Sequence, residues 1–80
     1  MTWLTEATRH VAAATGLDLA SLHLEPGERE TLLDLAGVAA RSSGDRTNAP
    51  LLCHILGRAV AQGASLADLD RAVRDYTRTE

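Results

Sequence analysis

The sequence contains few aromatic residues, a single Cys and no long apolar run. It contains no Phe, one Trp and one Tyr, so a hydrophobic interior must be made from Leu, Val, Ile and Ala. A single Cys excludes an intramolecular disulfide and a metal site made from paired thiolates. No apolar run approaches the roughly 18 residues of a membrane span, and no basic start followed by an apolar run indicates a signal peptide. We therefore expect a cytoplasmic protein with no membrane partner.

Lysine is also absent, and all eight basic residues are Arg. This usage is typical of a GC-rich bacterial coding sequence, and it makes every cation a planar fork that binds carboxylate or phosphate in bidentate fashion. The 11 acidic residues give a formal net charge of -3. Nucleic-acid binding depends on a basic face that releases counterions from phosphate. The balance of charge therefore argues against a nucleic-acid partner.

What is present points to helices. The 80 residues suffice for one domain, which we take to span residues 1–80. A chain this short buries only about 60% of the surface that it exposes when unfolded, so efficient packing or a partner must supply stability. Apolar residues recur at spacings of three and four in four segments that are separated by short breaks. The sequence therefore predicts an all-α fold, a compact single-domain bundle of four helices.

The first helix and the segment after it have clear boundary signals. Thr2 is predicted to cap the helix and Gly16 to end it. Residues 17–27 alternate briefly but contain Pro26 and Gly27, which break regular structure. We predict an irregular Leu-rich connector between helices one and two, whose leucines cover the core. These leucines are Leu17, Leu19, Leu22 and Leu24.

The remaining helices follow from the same signals. The second is predicted from Glu28 to about Ser42, and the third starts at a cap supplied by Thr47 or Asn48. Ser65 is predicted to cap the fourth. The predicted buried face of the third helix is Leu51, Leu52, Ile55, Leu56, Ala59 and Val60.

Two glycines, Gly37 and Gly57, fall inside helices two and three. Each costs roughly 1 kcal/mol of helix propensity relative to Ala. Either glycine is a tolerated surface residue, or it marks a close helix crossing where any side chain would clash. Both explanations are structural, and neither implies chemistry.

Residue types used in catalysis and metal binding occur without the required context. Ser42, Ser43, Asp45 and His54 match the types of a hydrolytic triad, but the serines lack a nucleophile-elbow context and are interpreted as turn and cap residues. Cys53 and His54 are adjacent, so on a helix they point about 100° apart and cannot readily share a metal. We predict no catalytic residue, no metal and no cofactor, and an enzyme is less expected than a binding module.

The stretch RTNAP before the third helix is the best candidate for a ligand site. A helix N-terminus offers unpaired amides and a partial positive charge. Arg46 and Asn48, with Arg41 and Ser43 nearby, are the candidate ligand-binding residues for a phosphate or nucleotide. The alternative is that Asn48 satisfies the amides itself while Arg46 pairs with Asp45 or Asp34.

The two aromatic residues are the candidate interaction residues. Trp3 lies near the start of the first helix, where it either anchors that helix in the core, the interpretation we favour, or stays exposed as an interface anchor. Tyr76 continues the apolar stripe of the last helix. A small core and Ala-rich stripes also allow two copies to pair as a homodimer.

Three segments, WLTEATRHVAAATGL, LLDLAGVAAR and RTNAPLLCHILG, together with the acidic last helix, carry a family likeness. They resemble a small bacterial all-helical domain family of unknown function that occurs alone or appended to molybdenum cofactor guanylyltransferase. Its Arg-Pro-Ala-Ala-Pro-Leu pattern with a Gly seven residues beyond the second Pro is matched by Arg46, Ala49, Pro50, Leu51 and Gly57.

The chain departs from that family pattern in two places. Thr47 and Asn48 replace its Pro and Ala, and AARSSG replaces a segment that often contains a His. The resemblance implies a noncatalytic accessory or protein-interaction module near molybdenum cofactor maturation. It implies a protein partner as well, either the guanylyltransferase or another maturation component.

Overall fold

The computed structural model describes residues 2–78 of the chain. Within that range it has four α-helices, one 3₁₀ turn and no strand, which confirms the predicted all-α class with four helices. The helices are α1 (Trp3–Thr15), α2 (Pro26–Ser43), α3 (Asn48–Ala61) and α4 (Leu66–Arg78), and the 3₁₀ turn is Leu19–Leu22.

Local hydrogen bonds set the bounds of α1 as the sequence predicts. Thr2 Oγ1 accepts a hydrogen bond from Thr5 N at 3.2 Å and satisfies one of the free amides of the first turn. Gly16 ends the helix in the left-handed region, with φ of 74°, and its N–H donates to the Ala12 carbonyl at 2.9 Å. Both predicted boundary residues are confirmed.

The second helix begins at Pro26, two residues before the predicted start at Glu28. Pro at the first helical position lacks an N–H that would have no partner there, and its φ already suits a helix. Glu28 Oε1 accepts a hydrogen bond from Glu25 N at 3.0 Å and so fixes this start. Pro26 and Gly27 therefore begin a helix where the sequence pattern indicated a break.

The connector between α1 and α2 contains the 3₁₀ turn and no strand. Asp18 Oδ1 accepts a hydrogen bond from Ala20 N at 3.1 Å and caps the turn. The prediction that its leucines cover the core is wrong for Leu17, Leu19 and Leu24, which are exposed. These leucines stay exposed because α1 packs against the 3₁₀ turn and not against α2, α3 or α4.

The interior lies among α2, α3 and α4, which we call the three-helix unit. Leu35 of α2 is 0% exposed, and Leu56 of α3 and Ala39 of α2 are also buried. α2 contacts both α3 and α4, and α3 contacts α4. Burial of side chains such as these supplies the main driving force that holds helices together.

We call α1 and the 3₁₀ turn the arm, because they lie apart from that interior. No Cα of α1 comes within 8 Å of a Cα in α2, α3 or α4, whereas α1 does contact the 3₁₀ turn. The molecule accordingly measures 42 × 25 × 20 Å. Its accessible surface is 6,041 Å², whereas a folded monomer of 8.5 kDa exposes about 4,700 Å². The chain therefore exposes about 1,300 Å² more than its mass requires.

The two glycines inside helices do not mark close helix crossings. A Cβ placed on Gly57 meets nothing within 4 Å. A Cβ on Gly37 meets only the guanidinium of Arg41 on the same helix, at 2.9 Å from Nη1. Both positions fit the alternative, a tolerated glycine at or near the surface.

The fourth helix carries its charges in neighbouring pairs. Ser65 Oγ accepts a hydrogen bond from Asp68 N at 3.1 Å, as predicted for its cap. Three ion pairs at i,i+3 or i,i+4 run along its surface. They are Asp68 with Arg71, Asp70 with Arg74, and Asp75 with Arg78.

Candidate functional site

The carboxylate of Asp45 lies at the RTNAP corner. Asp45 Oδ1 accepts hydrogen bonds from Thr47 N at 2.9 Å and from Thr47 Oγ1 at 2.7 Å. Bonds from the hydroxyl and then from the amide stabilise the charged form and hold the pKa of Asp45 below its ordinary value. Thr47 occupies the N-cap position of α3, one of the two predicted alternatives, but its side chain makes no capping hydrogen bond, and the side chain that accepts from an amide here is that of Asp45.

Ser43 is a turn residue at the end of α2. Its Oγ lies 2.6 Å from the Ala39 carbonyl and 3.1 Å from the Asp45 carbonyl, and it accepts a hydrogen bond from Asp45 N at 3.2 Å. Gly44 follows in the left-handed region. These bonds close the connection between α2 and α3, in agreement with the turn interpretation of the serine.

The two arginines proposed for this corner make different contacts. Arg41 extends along its own helix over Gly37. Arg46 is exposed, and over residues 2–78 no ion pair joins it to Asp45 or Asp34. The structure therefore gives Arg46 no pairing role, and anion binding at this corner stays a prediction.

A neutral groove of about 460 Å³ lies between the C-terminal end of α2 and one side of α3 and α4. It brings Ser43 and Asn48 together with Tyr76, whereas Arg41 and Arg46 do not line it. Every residue that lines it is uncharged. Its apolar members are Ala39, Leu51, Leu52, Ile55, Ala72, Val73 and Tyr76.

The apolar pattern of α3 does not reveal this groove, because it predicts Leu51 and Ile55 as core residues. They are 59% and 60% exposed. The signal was present in the width of the apolar stripe on α3, whose members cover two adjacent helix faces. One of these faces packs inward through Leu56, and the other lines the groove.

A second cavity, which we call the arm cleft, measures about 560 Å³ and lies between α1, the 3₁₀ turn and the start of α2. Leu4, Leu19, Leu22 and Leu24 give it an apolar lining. Its cationic or titratable members are Arg9, His23 and Arg29.

The arm cleft is also lined by positively charged side chains. In the described part of the chain, neither Arg9 nor Arg29 takes part in an ion pair. His23 Nε2 lies 3.7 Å from Glu25 Oε1, and both side chains are solvent-exposed. The cleft thus combines apolar contact area with two guanidinium groups, each of which can donate two hydrogen bonds to one carboxylate.

Trp3 is exposed on α1 rather than buried in the core, and it does not itself line the arm cleft. It lies between two cleft residues in the sequence, Thr2 and Leu4, and it is 82% exposed. The favoured prediction of a core anchor is therefore wrong, and the alternative of an exposed residue is confirmed. The physical reason is that α1 has no helix against which a large side chain could pack.

No family model, curated protein or solved structure matches this chain. The neutral groove and the arm cleft are therefore judged by their own geometry. Both are open, and both are lined chiefly by apolar side chains. Exposed apolar surfaces of this kind mark contacts with proteins or membranes, or ligand-binding grooves.

Cys53 and His54 diverge as their adjacency predicts. Cys53 is half-buried, and its Sγ lies 3.9 Å from the Leu32 carbonyl on α2. His54 Nε2 accepts a hydrogen bond from Arg58 Nε at 3.2 Å on the surface of α3. Among residues 2–78 no group of three or more His, Cys, Asp and Glu side chains is placed to hold a metal ion. In the same range no helix has the length and apolarity to cross a membrane.

Proposed function

We propose that this chain is a noncatalytic helical module that binds a protein partner through Trp3 and the arm cleft. The observation that carries the proposal is the 82% exposure of its single Trp. Trp is enriched among the few residues that dominate binding energy, because it buries a large area and loses little conformational entropy. An exposed Trp contributes little to the stability of the folded chain. Its large apolar surface contributes free energy when a partner buries it.

The arm cleft indicates the chemistry of the partner. Its leucines accept an apolar anchor, and the guanidinium groups of Arg9 and Arg29 accept carboxylates on either side of such an anchor. A partner segment with an apolar residue flanked by Asp or Glu therefore complements both features. The lining of the cleft contains two guanidinium groups and no carboxylate, on a chain whose net charge is -3.

As the partner we propose molybdenum cofactor guanylyltransferase or another component of molybdenum cofactor maturation in the bacterial cytoplasm. The likeness of the WL and RTNAP motifs to the helical domain family supports this choice. In this role the chain contributes a contact surface, and the catalytic groups belong to the partner.

The proposal is tested by titrating the purified chain into the guanylyltransferase of the same organism and measuring heat of binding. We expect specific binding that Trp3→Ala weakens by about 30-fold or more, the loss typical of a dominant interface residue. Leu33→Ala is the matched control, because Leu33 is 62% exposed on α2 and lines neither cavity. This control is expected to bind like the unaltered chain.

Three results contradict parts of the proposal. Equal weakening by Trp3→Ala and Leu33→Ala would place the contact elsewhere than the arm. Turnover of a molybdenum cofactor precursor by the purified chain alone would show that the module is catalytic. Absence of binding to the guanylyltransferase would remove that enzyme as the partner.

A further inference from the structure

We propose that two copies of the chain pair symmetrically through the neutral groove, so that α3 and α4 of one copy pack against α3 and α4 of the other. This interface is separate from the arm cleft and leaves Trp3 accessible. The inference therefore goes beyond the proposed function and does not depend on it.

The chain has more exposed surface than a compact monomer of its mass. The excess over the whole chain, the arm included, is about 1,300 Å², and a stable interface of standard size covers about 800 Å² on each partner. Leu51 and Ile55 are 59% and 60% exposed, and Tyr76 is 69% exposed. These three residues concentrate apolar and aromatic surface in one place, as the centres of interfaces do.

Charge favours a second copy as the occupant of the neutral groove. Around a two-fold axis the same patch of both copies meets, so a charged patch faces groups of its own sign. The lining of the groove is uncharged throughout and avoids this repulsion. The arm cleft, by contrast, would bring Arg9 and Arg29 of one copy toward the same guanidinium groups of the other. The groove is thus suited to self-pairing, whereas the arm cleft is suited to an acidic partner.

The small interior supplies a reason for pairing. The buried side chains of the three-helix unit are Leu35, Ala39 and Leu56, of which Leu35 alone is fully buried. Chains of about 80 residues or fewer commonly add disulfides, a structural metal or oligomerisation to a core this limited. The single Cys excludes a disulfide within the chain. A second copy covers Leu51 and Ile55 and extends the interior from α2 and α3 across the two-fold axis.

The oligomeric state tests the inference directly. Sedimentation equilibrium of the full chain, from low micromolar to near-millimolar concentration, is expected to show a species of twice 8.5 kDa. Ile55→Glu places like charges against each other at the interface and is expected to raise the dimer dissociation constant by at least about tenfold. Leu33→Glu is the matched control, since it puts the same charge at a residue of similar exposure outside the groove. The control is expected to remain dimeric.

Several outcomes would overturn the inference. They are a monomer at every concentration, an assembly larger than a dimer, and equal dissociation of the Ile55→Glu and Leu33→Glu variants. Far-ultraviolet circular dichroism checks that each variant keeps its helices. If Ile55→Glu loses them, Leu51→Gln removes apolar contact without adding charge and is expected to weaken the dimer. Unchanged association of a folded Leu51→Gln chain would exclude the groove as the interface.

Discussion

The three-helix unit and the arm contain similar residues but are held in place by different means. In the three-helix unit, Leu35 of α2 and Leu56 of α3 are buried where separate helices pack against one another. In the arm, Ala12 of α1 is the one buried residue, and the helix bounds are fixed by bonds between near neighbours, such as the Thr5 N to Thr2 Oγ1 bond at 3.2 Å. The comparison teaches that local bonds determine where a helix begins and ends, while burial between helices determines where the helix lies.

Leu35→Ala tests the burial side of this comparison and is expected to have the largest effect. Removing a fully buried Leu side chain lowers the free energy of unfolding by about 3 kcal/mol, within a usual range of about 2–5 kcal/mol. Urea denaturation followed by circular dichroism measures the change. Leu33→Ala, two residues away and 62% exposed, is the control and is expected to change stability by about 0.5 kcal/mol or less. Similar losses from both variants would mean that α2 does not bury the face described.

The same substitution in the two regions is expected to act with opposite sign. Gly16→Ala forces an L-residue into the left-handed region at the end of α1, where Gly16 has φ of 74°, and destabilises that end by about 1–2 kcal/mol. Gly57→Ala lies inside α3, where an added Cβ meets nothing within 4 Å, and is expected to stabilise by about 1 kcal/mol. Thermal unfolding of each variant measures the difference. A loss of stability in Gly57→Ala would contradict the open surroundings of this position.

Thr2→Ala sharpens the comparison by loosening the arm alone. Loss of this cap costs about 1 kcal/mol at the start of α1. Because no Cα of α1 comes within 8 Å of a Cα in the other three α-helices, the loss is expected to stay local. Hydrogen exchange is expected to quicken at the amides of α1 and to stay unchanged in α2, α3 and α4. Faster exchange throughout would show that the arm and the three-helix unit open together.

The smallest expected effect is a pH dependence at the start of α3. The pKa of Asp45 is lowered in the folded chain, so its bonds to Thr47 contribute stability that is fully present above its ordinary pKa. This contribution is lost as the pH falls below about 4 and through the lowered value. The melting temperatures of the unaltered chain and Asp45→Asn, measured against pH, are expected to differ most near neutrality and to converge in acid. A difference that stays constant with pH would assign another role to this carboxylate.

Features that depend on neighbouring residues could be predicted from the sequence. The caps Thr2 and Ser65 and the end of α1 at Gly16 follow from local hydrogen bonding and backbone preference, and each is confirmed. Local signals fail at two helix starts. The pattern indicates a break at Pro26, although a Pro in the first turn is compatible with a helix, and the Thr47 side chain at the start of α3 makes no capping hydrogen bond.

Features that depend on packing could not be predicted in the same way. An apolar stripe shows which side of a helix avoids water, but not which neighbour covers it. The stripes therefore predict that Trp3 and Ile55 are core residues. Both are exposed, because α1 packs against no other α-helix and α3 carries a second apolar face. The neutral groove was missed for this reason, and so was the arm cleft, whose lining comes from three separate segments.

The exposure of Trp3 has a consequence for optical measurements. Indole emission shifts to shorter wavelength when the ring leaves water, and Trp3 is the single indole of the chain. Since its side chain is already 82% exposed in the folded state, unfolding changes its surroundings little. Coverage by another molecule changes them greatly. The intrinsic fluorescence of this protein is therefore a poor reporter of folding and a sensitive reporter of contacts made at the arm.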